Sequence, residues 1–490
     1  MYRKQPPQQE TFFIPGSLSD YIPADHLLKR VNAVLDLRWL GEEVRELYAE
    51  ANGRPCIAPE RALRLMLAGF FHGVVHDRKL LREAQVNLAY RWFAGYELGE
   101  ALPDHSSLTR IRQRWGAERF RRIFERSVAQ CAQAGLVGGE WLHVDASLIR
   151  ADVSWNSLVA VHVEKVLAEN EAPAEAASSP EGCREGRRKV GRPSTRRAKK
   201  VKKVSTTDPE ASLTTSCHQQ RLEPSYKQHT AVDDKAGIIV DVHVTTGEAN
   251  EGKELLSQLA RVTETVYGEL PQAVTADRGY ASSSNYAALE KLGVAAVIPP
   301  QPEKTPHHGM PLQRFAYDAQ HEVVRCPAGK ILTRRSRGQN GWIYRARRAD
   351  CNACALRKRC VSPSARTRSV FIKDGYCALL RARRGKEKGW PELMQEAYQR
   401  HRWQVEGIHG EAKCQHGLRR AVRRGLSNMR IQAYLTAAVI NLKRLAAHCA
   451  RLLAAHFYHR QWRRQRRKIA ALLCWFNRGK NLRYPRITLR

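Results

Sequence analysis

Residues 141–151 read WLHVDASLIRA and residues 272–277 read QAVTAD. The first run is rich in β-forming apolar residues, and it sets Asp145 among neighbours that make an unpaired carboxylate costly. The second is an apolar strand ending on Asp277, and the turn Arg278-Gly279-Tyr280 follows it. Further strand-like runs are SYKQHTAVD (225–233), GIIVDVHVTT (237–246) and VAAVIPP (294–300). Helical patterns begin at Glu251 and extend from Ser284 to Leu292. The order β-β-β-α-β-α-β predicts a mixed α/β layer built around a sheet.

Outward from this centre the pattern turns helical on both sides. From Asp25 to about Ser127, Leu27, Leu28, Val31, Val34 and Leu35 open a series of helical stripes. Pro59-Glu60 starts a helix that stops near Gly73, and Pro103-Asp104-His105-Ser106 starts another. From Trp390 to about His456 the chain is helical again, with Ile431, Leu435, Ala438, Leu442 and Leu445 on one core-facing stripe. Residues 168–215 are poor in apolar side chains and predict a disordered insertion. The expected organisation is an all-α N-terminal domain (1–135) and the first part of the catalytic core (136–300). A cysteine-containing insertion (301–375), a final helical part of the core (376–450) and a basic tail (451–490) complete it.

The chain has 490 residues and a net charge of +35. Residues 184–203 hold eleven Lys/Arg and one acid, Glu185, while residues 412–490 hold twenty Lys/Arg and no acid. The remaining residues are nearly neutral. Basic blocks of this kind are footprints for a phosphate backbone, against the plainer reading of a solvated tail. Gly191-Arg192-Pro193 resembles a short minor-groove arm, with a solvated linker as the alternative. The most apolar stretch, near Leu65 to Val75, is too short to span a membrane. The opening MYRKQPPQQE lacks an apolar signal region, and twelve scattered cysteines do not make a disulfide scaffold, so a reducing cytoplasm is expected.

Two-metal phosphoryl transfer needs carboxylates that converge on a pair of ions. Asp145, Asp277 and Glu406 are the candidates, on strand, strand and helix. On the helix, Arg402, Glu406, His409 and Lys413 follow i, i+4, i+7, i+11 spacing and share one face. Plainer roles exist for each acid. Asp145 could be a satisfied strand-end carboxylate, Asp277 a helix cap or a partner of Arg278, and Glu406 a partner of Arg402. His409 reads as a surface histidine. Asp233, Asp234 and Asp241 compete but fall at a turn and mid-strand among polar residues. Cys326, Cys351, Cys354 and Cys360 form a C-x24-C-x2-C-x5-C cluster. Such a cluster suits a structural Zn²⁺ that would fold a segment too small for its own core, or else a set of free thiols.

Over nearly its full length the sequence resembles the DDE transposases of bacterial insertion sequences, which have an RNase H-like core. The N-terminal stretches YIPADHLLKRVNAVLDL and GRPCIAPERALRLMLAGFFHG look like that family's helical domain. HVDASLIRADVS, TADRGYAS and RWQVEGIHGEAKCQHGLRRAVRRGLSNMR look like its three acidic motifs. The resemblance implies that Asp145, Asp277 and Glu406 hold two Mg²⁺ (or Mn²⁺) ions. Water would then cut a DNA strand at a terminal inverted repeat, and the freed 3′-hydroxyl would attack target DNA. Arg402 and Lys413 match the family's R-x3-E-x6-K spacing and would neutralise phosphate oxygens. Arg419, Arg420, Arg423 and Arg424 would follow the backbone of double-stranded DNA, and a homodimer would join two ends. The family's upstream tyrosine falls on Gln399, with Tyr398 next to it. Two rival readings are an inactive DNA-binding descendant and another RNase H-like nuclease.

Overall fold

The computed structural model describes residues 16–49, 56–160, 203–215, 222–303 and 309–478. They divide into two compact units, one formed by residues 1–114, 129–136 and 438–490, the other by 115–128 and 137–437.

The first unit is helical: α1 (Leu27–Asn32), α2 (Leu40–Val44), α3 (Pro59–Phe71), α4 (Asp77–Val86), α5 (Leu88–Ala94) and the first part of α6 (His105–Gln133). Pro59 opens α3, and most of that helix is buried, so it is the centre of this unit. Asn87 caps α5 through the amides of Ala89 and Tyr90, and Asp104 caps α6 through Ser106. Gly116, at φ 67°, interrupts α6. Residues 115–128 were grouped by pattern with the N-terminal helices, yet they cluster with the second unit. The cause is aromatic: Phe124 stacks on Tyr434 with ring centroids 6.2 Å apart.

The second unit is built on β1 (Trp141–Arg150), β2 (Leu158–Ala160), β3 (Lys203–Ser205), β4 (Ser212–Thr214), β5 (Glu223–Asp233) and β6 (Ile239–Thr246). Next come α7 (Leu255–Val262), β7 (Ala273–Ala276), α8 (Ser283–Leu292) and β8 (Ala295–Val297). The main sheet runs β6-β5-β1-β7-β8, with β4 added beside the start of β5. Pairs β6/β5 and β5/β1 are antiparallel; β1/β7 and β7/β8 are parallel. Three meandering strands followed by two parallel ones make this an RNase H-like mixed sheet, as expected. All of β5 except its first residue is buried, as a central strand covered on both faces must be.

The insertion is a second, wholly antiparallel sheet of β9 (Ala316–Asp318), β10 (Val323–Arg325), β11 (Ile331–Gly338), β12 (Gly341–Ala346) and β13 (Ser369–Lys373). Short helices α9 (Arg348–Asn352) and α10 (Arg357–Cys360) lie between β12 and β13. Helices α11 (Tyr376–Lys388), α12 (Glu392–Gln415) and α13 (Leu426–Arg478) follow. Helix α12 packs on β1, β5 and β7.

Three expectations change. Residues 203–214 are not disordered: β3 pairs with β2, and β4 with β5, because Val204, Ala211 and Leu213 supply apolar contacts that the composition of the whole segment obscured. The insertion does have a core of its own, around Phe315, Val324, Leu332, Tyr344, Val370 and Ile372. The last helix continues past His456 to Arg478, since no glycine or proline interrupts it before Gly479. The minor-groove arm at Arg192 lies outside the described residues.

Candidate active site

The parallel register of β1 and β7 ends with Val144 opposite Ala276. Asp145 and Asp277 are the next residues on each strand, so two carboxylates stand level on adjacent strands, which lie about 4.8 Å apart. Asp145 is mid-strand rather than at the strand's end, because β1 continues to Arg150 along β5. Asp277 ends β7 and caps the turn behind it, accepting from the Gly279 amide at 2.7 Å. Glu406 lies on the exposed side of α12, the helix that crosses both strands.

The electrostatics tie these groups together. Burial pushes the Asp145 carboxyl up to about 7; the Ala146 amide opposes, and Asp277, Glu251 and Glu406 add to the rise. Burial also raises Asp277, with Glu251 adding, while the Gly279 amide and Lys227 act against it. Lys413 is lowered by burial and by Arg419, and held up by Asp145. Asp145 and Asp277, both raised in a partly desolvated site with further acids near, form a cation-seeking arrangement. Among the described residues, no group of three or more His, Cys, Asp or Glu is gathered tightly enough to hold a metal ion as it stands.

His409 is not the surface histidine expected. It is buried, 3.6 Å from Asp145 Oδ2 and hydrogen-bonded to Thr230, and burial keeps its imidazole neutral, with the pKa down to about 3. The helical spacing was read correctly, but the sheet covers the His409 side of α12 while Arg402 and Glu406 face outward. Tyr398 stacks on His401 with centroids 5.9 Å apart, and its hydroxyl is raised first by burial and then by Asp277. Gln399, at the expected spacing, is exposed.

A polar relay below α12 fixes the helix on the sheet. His401 bonds Thr275 at 3.0 Å, Thr275 bonds His143, and His143 bonds Asp234 at 2.8 Å. Arg400 and Gln404 donate to Asp234 from the same helix. The other competing acids are also consumed: Asp233 accepts from Gly138, Gly139 and Tyr267, and Asp241 pairs with Arg261. The loop after α12 joins the end of β1, where the Ala421 amide donates to Arg150 O at 2.8 Å. It presents Arg419, Arg420 and Arg424 as exposed groups and Arg423 as half-buried; Arg420 and Arg424 both contact Asp152.

In the insertion, Cys351 and Cys360 are buried in the core and Cys326 packs against it. Burial raises the Cys360 thiol, Arg368 opposes, and Cys326, Cys351 and Cys354 add to the rise.

Sequence reasoning missed Glu251 and Lys227. The one available signal was a lysine within a strand otherwise suited to burial: Lys227 is 9% exposed and lies 3.0 Å from Glu251.

An RNase H-like sheet with acids level on its two central parallel strands, and a third on the helix that crosses them, is the arrangement the sequence leads one to expect of a DDE-type site. Residues 16–114 match the family described as Transposase domain (DUF772), and residues 325–446 match Transposase DDE domain. The chain is a DDE transposase. No curated protein matches it. A cryo-EM structure of the piggyBac transposase synaptic complex with hairpin DNA is 12% identical with a TM-score of 0.34, covering 86% of this chain and 74% of that one. The Mos1 transposase paired-end complex with left transposon end is 11% identical with a TM-score of 0.15, covering 51% and 61%. No described helix is long and apolar enough to cross a membrane.

Proposed function

We propose that this transposase is encoded by an insertion sequence, cuts DNA at terminal inverted repeats and transfers the freed strand to target DNA. The observation that carries the reading is the level placement of Asp145 and Asp277 on adjacent parallel strands, with Glu406 on the helix that packs on both. Three carboxylates are hard oxygen donors, and the raised proton affinity of Asp145 and Asp277 is what a divalent cation would relieve, so the donor set fits Mg²⁺ or Mn²⁺. Two such ions held by Asp145, Asp277 and Glu406 would supply Lewis-acid activation of water and of the scissile phosphate. Lys413 neutralises a phosphate oxygen beside Asp145, and exposed Arg402 does so on the outer side of α12. The His401–Thr275–His143–Asp234 relay holds the helix, and with it Glu406, at a fixed register. Arg419, Arg420, Arg423 and Arg424 track the DNA backbone, assisted by Arg192, and the N-terminal helices bind the element end. Joining two ends calls for two copies of the chain.

The test is cleavage of a labelled duplex carrying the terminal repeat, with Mg²⁺, Mn²⁺ or EDTA. Nicking at the repeat end, abolished by EDTA and by Asp145→Ala, Asp277→Ala or Glu406→Ala while binding persists, is the expected outcome. Binding without cleavage in every metal would instead favour an inactive descendant.

The four cysteines are proposed to hold a structural Zn²⁺, supported by their spacing and by the place of Cys326, Cys351 and Cys360 in or against one core. About one zinc per chain in the purified protein, released in Cys354→Ser, is expected. Zinc-free protein whose stability is unchanged by Cys354→Ser would overturn this.

A further inference from the structure

We propose that Glu251 is a fourth carboxylate of the ion-binding cluster, oriented by Lys227. The inference rests on the reading of Asp145, Asp277 and Glu406 as ion ligands and extends that set.

Glu251 opens a short 3-10 turn, Glu251–Lys253, between β6 and α7. This turn meets the Arg278–Tyr280 turn that follows Asp277. Gly279 is the residue that permits the approach. A Cβ there would stand 2.6 Å from Glu251 Oε2 and 2.9 Å from Asp277 Oδ1, closer than real Cβ contacts allow. The backbone of Gly279 does not need positive φ, so the constraint is one of space. Two carboxylate oxygens thus flank a point that any side chain would fill. From the other side, Lys227 Nζ lies 3.0 Å from Glu251 Oε1 and donates to Ala249 O at 2.8 Å. The lysine is pinned at two points and in turn fixes the glutamate.

An independent observation points into the same place. Tyr280 is fully buried, and its hydroxyl makes no hydrogen bond among the described residues. Tyr280 belongs to the same turn as Gly279. A buried hydroxyl left open on that turn is a natural partner for a hydrated cation. Lys227 supplies one positive charge, which leaves the cluster short of neutral, and buried charge of one sign is costly without a counter-ion.

The test is Mn²⁺ titration of the full chain by calorimetry, without DNA, in wild type, Glu251→Gln, Glu251→Asp, Asp277→Asn and the exposed control Glu387→Gln, with thermal melting run alongside. Glu251→Gln is expected to weaken Mn²⁺ affinity about tenfold or more with an unchanged melt, and Glu251→Asp to recover part of it. The control should match wild type. If Asp277→Asn loses Mn²⁺ while both Glu251 variants bind like wild type, Glu251 is only the ion-pair partner of Lys227 and the proposal falls. Should Asp277→Asn also bind like wild type, the reading of the whole site fails with it. If Glu251→Gln does not fold, Glu251→Asp decides: full wild-type affinity there, despite the shorter reach, counts against direct contact.

Discussion

The two sheets of the larger unit are built to opposite rules. The six-stranded sheet is mixed, takes its strands out of chain order, and buries polar groups such as His143, His229, Thr230 and Thr275. The five-stranded sheet keeps its strands in chain order and alternates buried with exposed residues, most clearly along β13. Its core is apolar side chains and thiols. A sheet that presents carboxylates level on adjacent strands needs cover on both faces, and it needs buried polar relays to fix the helix that brings the third acid. A sheet with no such task can be a local meander with one apolar face. The difference teaches that buried polarity in this chain follows the chemistry and not the fold class.

That contrast is sharpened most by separating activity from stability. Asp277→Asn or Glu406→Gln should lower cleavage on the order of a thousandfold or more while leaving the thermal melt within a degree or two, because neither side chain supports the core. Cys360→Ser, in the other sheet, should reverse the pattern: a lower melt with cleavage retained in the fraction that stays folded. Cleavage and melt falling together in both sheets would mean that the division of labour is not real.

Tyr344→Ala tests whether the sheets are energetically separable. Tyr344 is 1% exposed at the centre of the second sheet, edge-on to Tyr317 at 5.9 Å. Its truncation should cost about 3–5 kcal/mol. Hydrogen exchange should then show amides of β11 and β12 losing protection while β1 and β5 keep theirs. Equal loss in both sheets would make them one cooperative unit and break the comparison.

The asymmetry also explains what the sequence could disclose. The strands β6, β7 and β8 were legible as apolar runs between turn residues and β5 from the β-forming Tyr226, Thr230 and Val232 among polar residues, and their order with the two intervening helices already implied the mixed sheet. The level placement of Asp145 and Asp277 follows from those runs once β1 and β7 are adjacent. Pattern alone could not tell which side of α12 meets the sheet. Arg402, Glu406, His409 and Lys413 fit a single helical stripe, yet tertiary packing hides His409 and leaves Glu406 outside. Glu251 was not legible at all, since an acid starting a short polar turn looks like any other, and only the space over Gly279 reveals its company. In the insertion, cysteine spacing drew attention away from Val324, Leu332, Tyr344 and Ile372, the residues that give the segment its core.

Acid is the gentlest way to probe the contrast. Burial lowers His229 to about 3, with His243 adding, and lowers His401 to about 3, with His143 adding. Both are neutral in the folded chain, while in the unfolded chain each takes a proton near 6.5. The unfolded state therefore binds more protons below pH 6.5, so the stability these groups contribute is intact above 6.5 and is lost as pH falls toward 3. At pH 5 the loss is about 2 kcal/mol for each histidine. Among the described residues the second sheet has no buried histidine: its His321 is exposed and pairs with Asp318 at 2.8 Å. Acidification from pH 7 to pH 5 should therefore weaken amide protection in β1, β5 and β7 before it weakens β11 to β13, and His401→Gln should remove part of that difference. If β11 to β13 lose protection first, or His401→Gln leaves the order and size of the effect unchanged, buried histidines do not set the acid limit of the catalytic sheet.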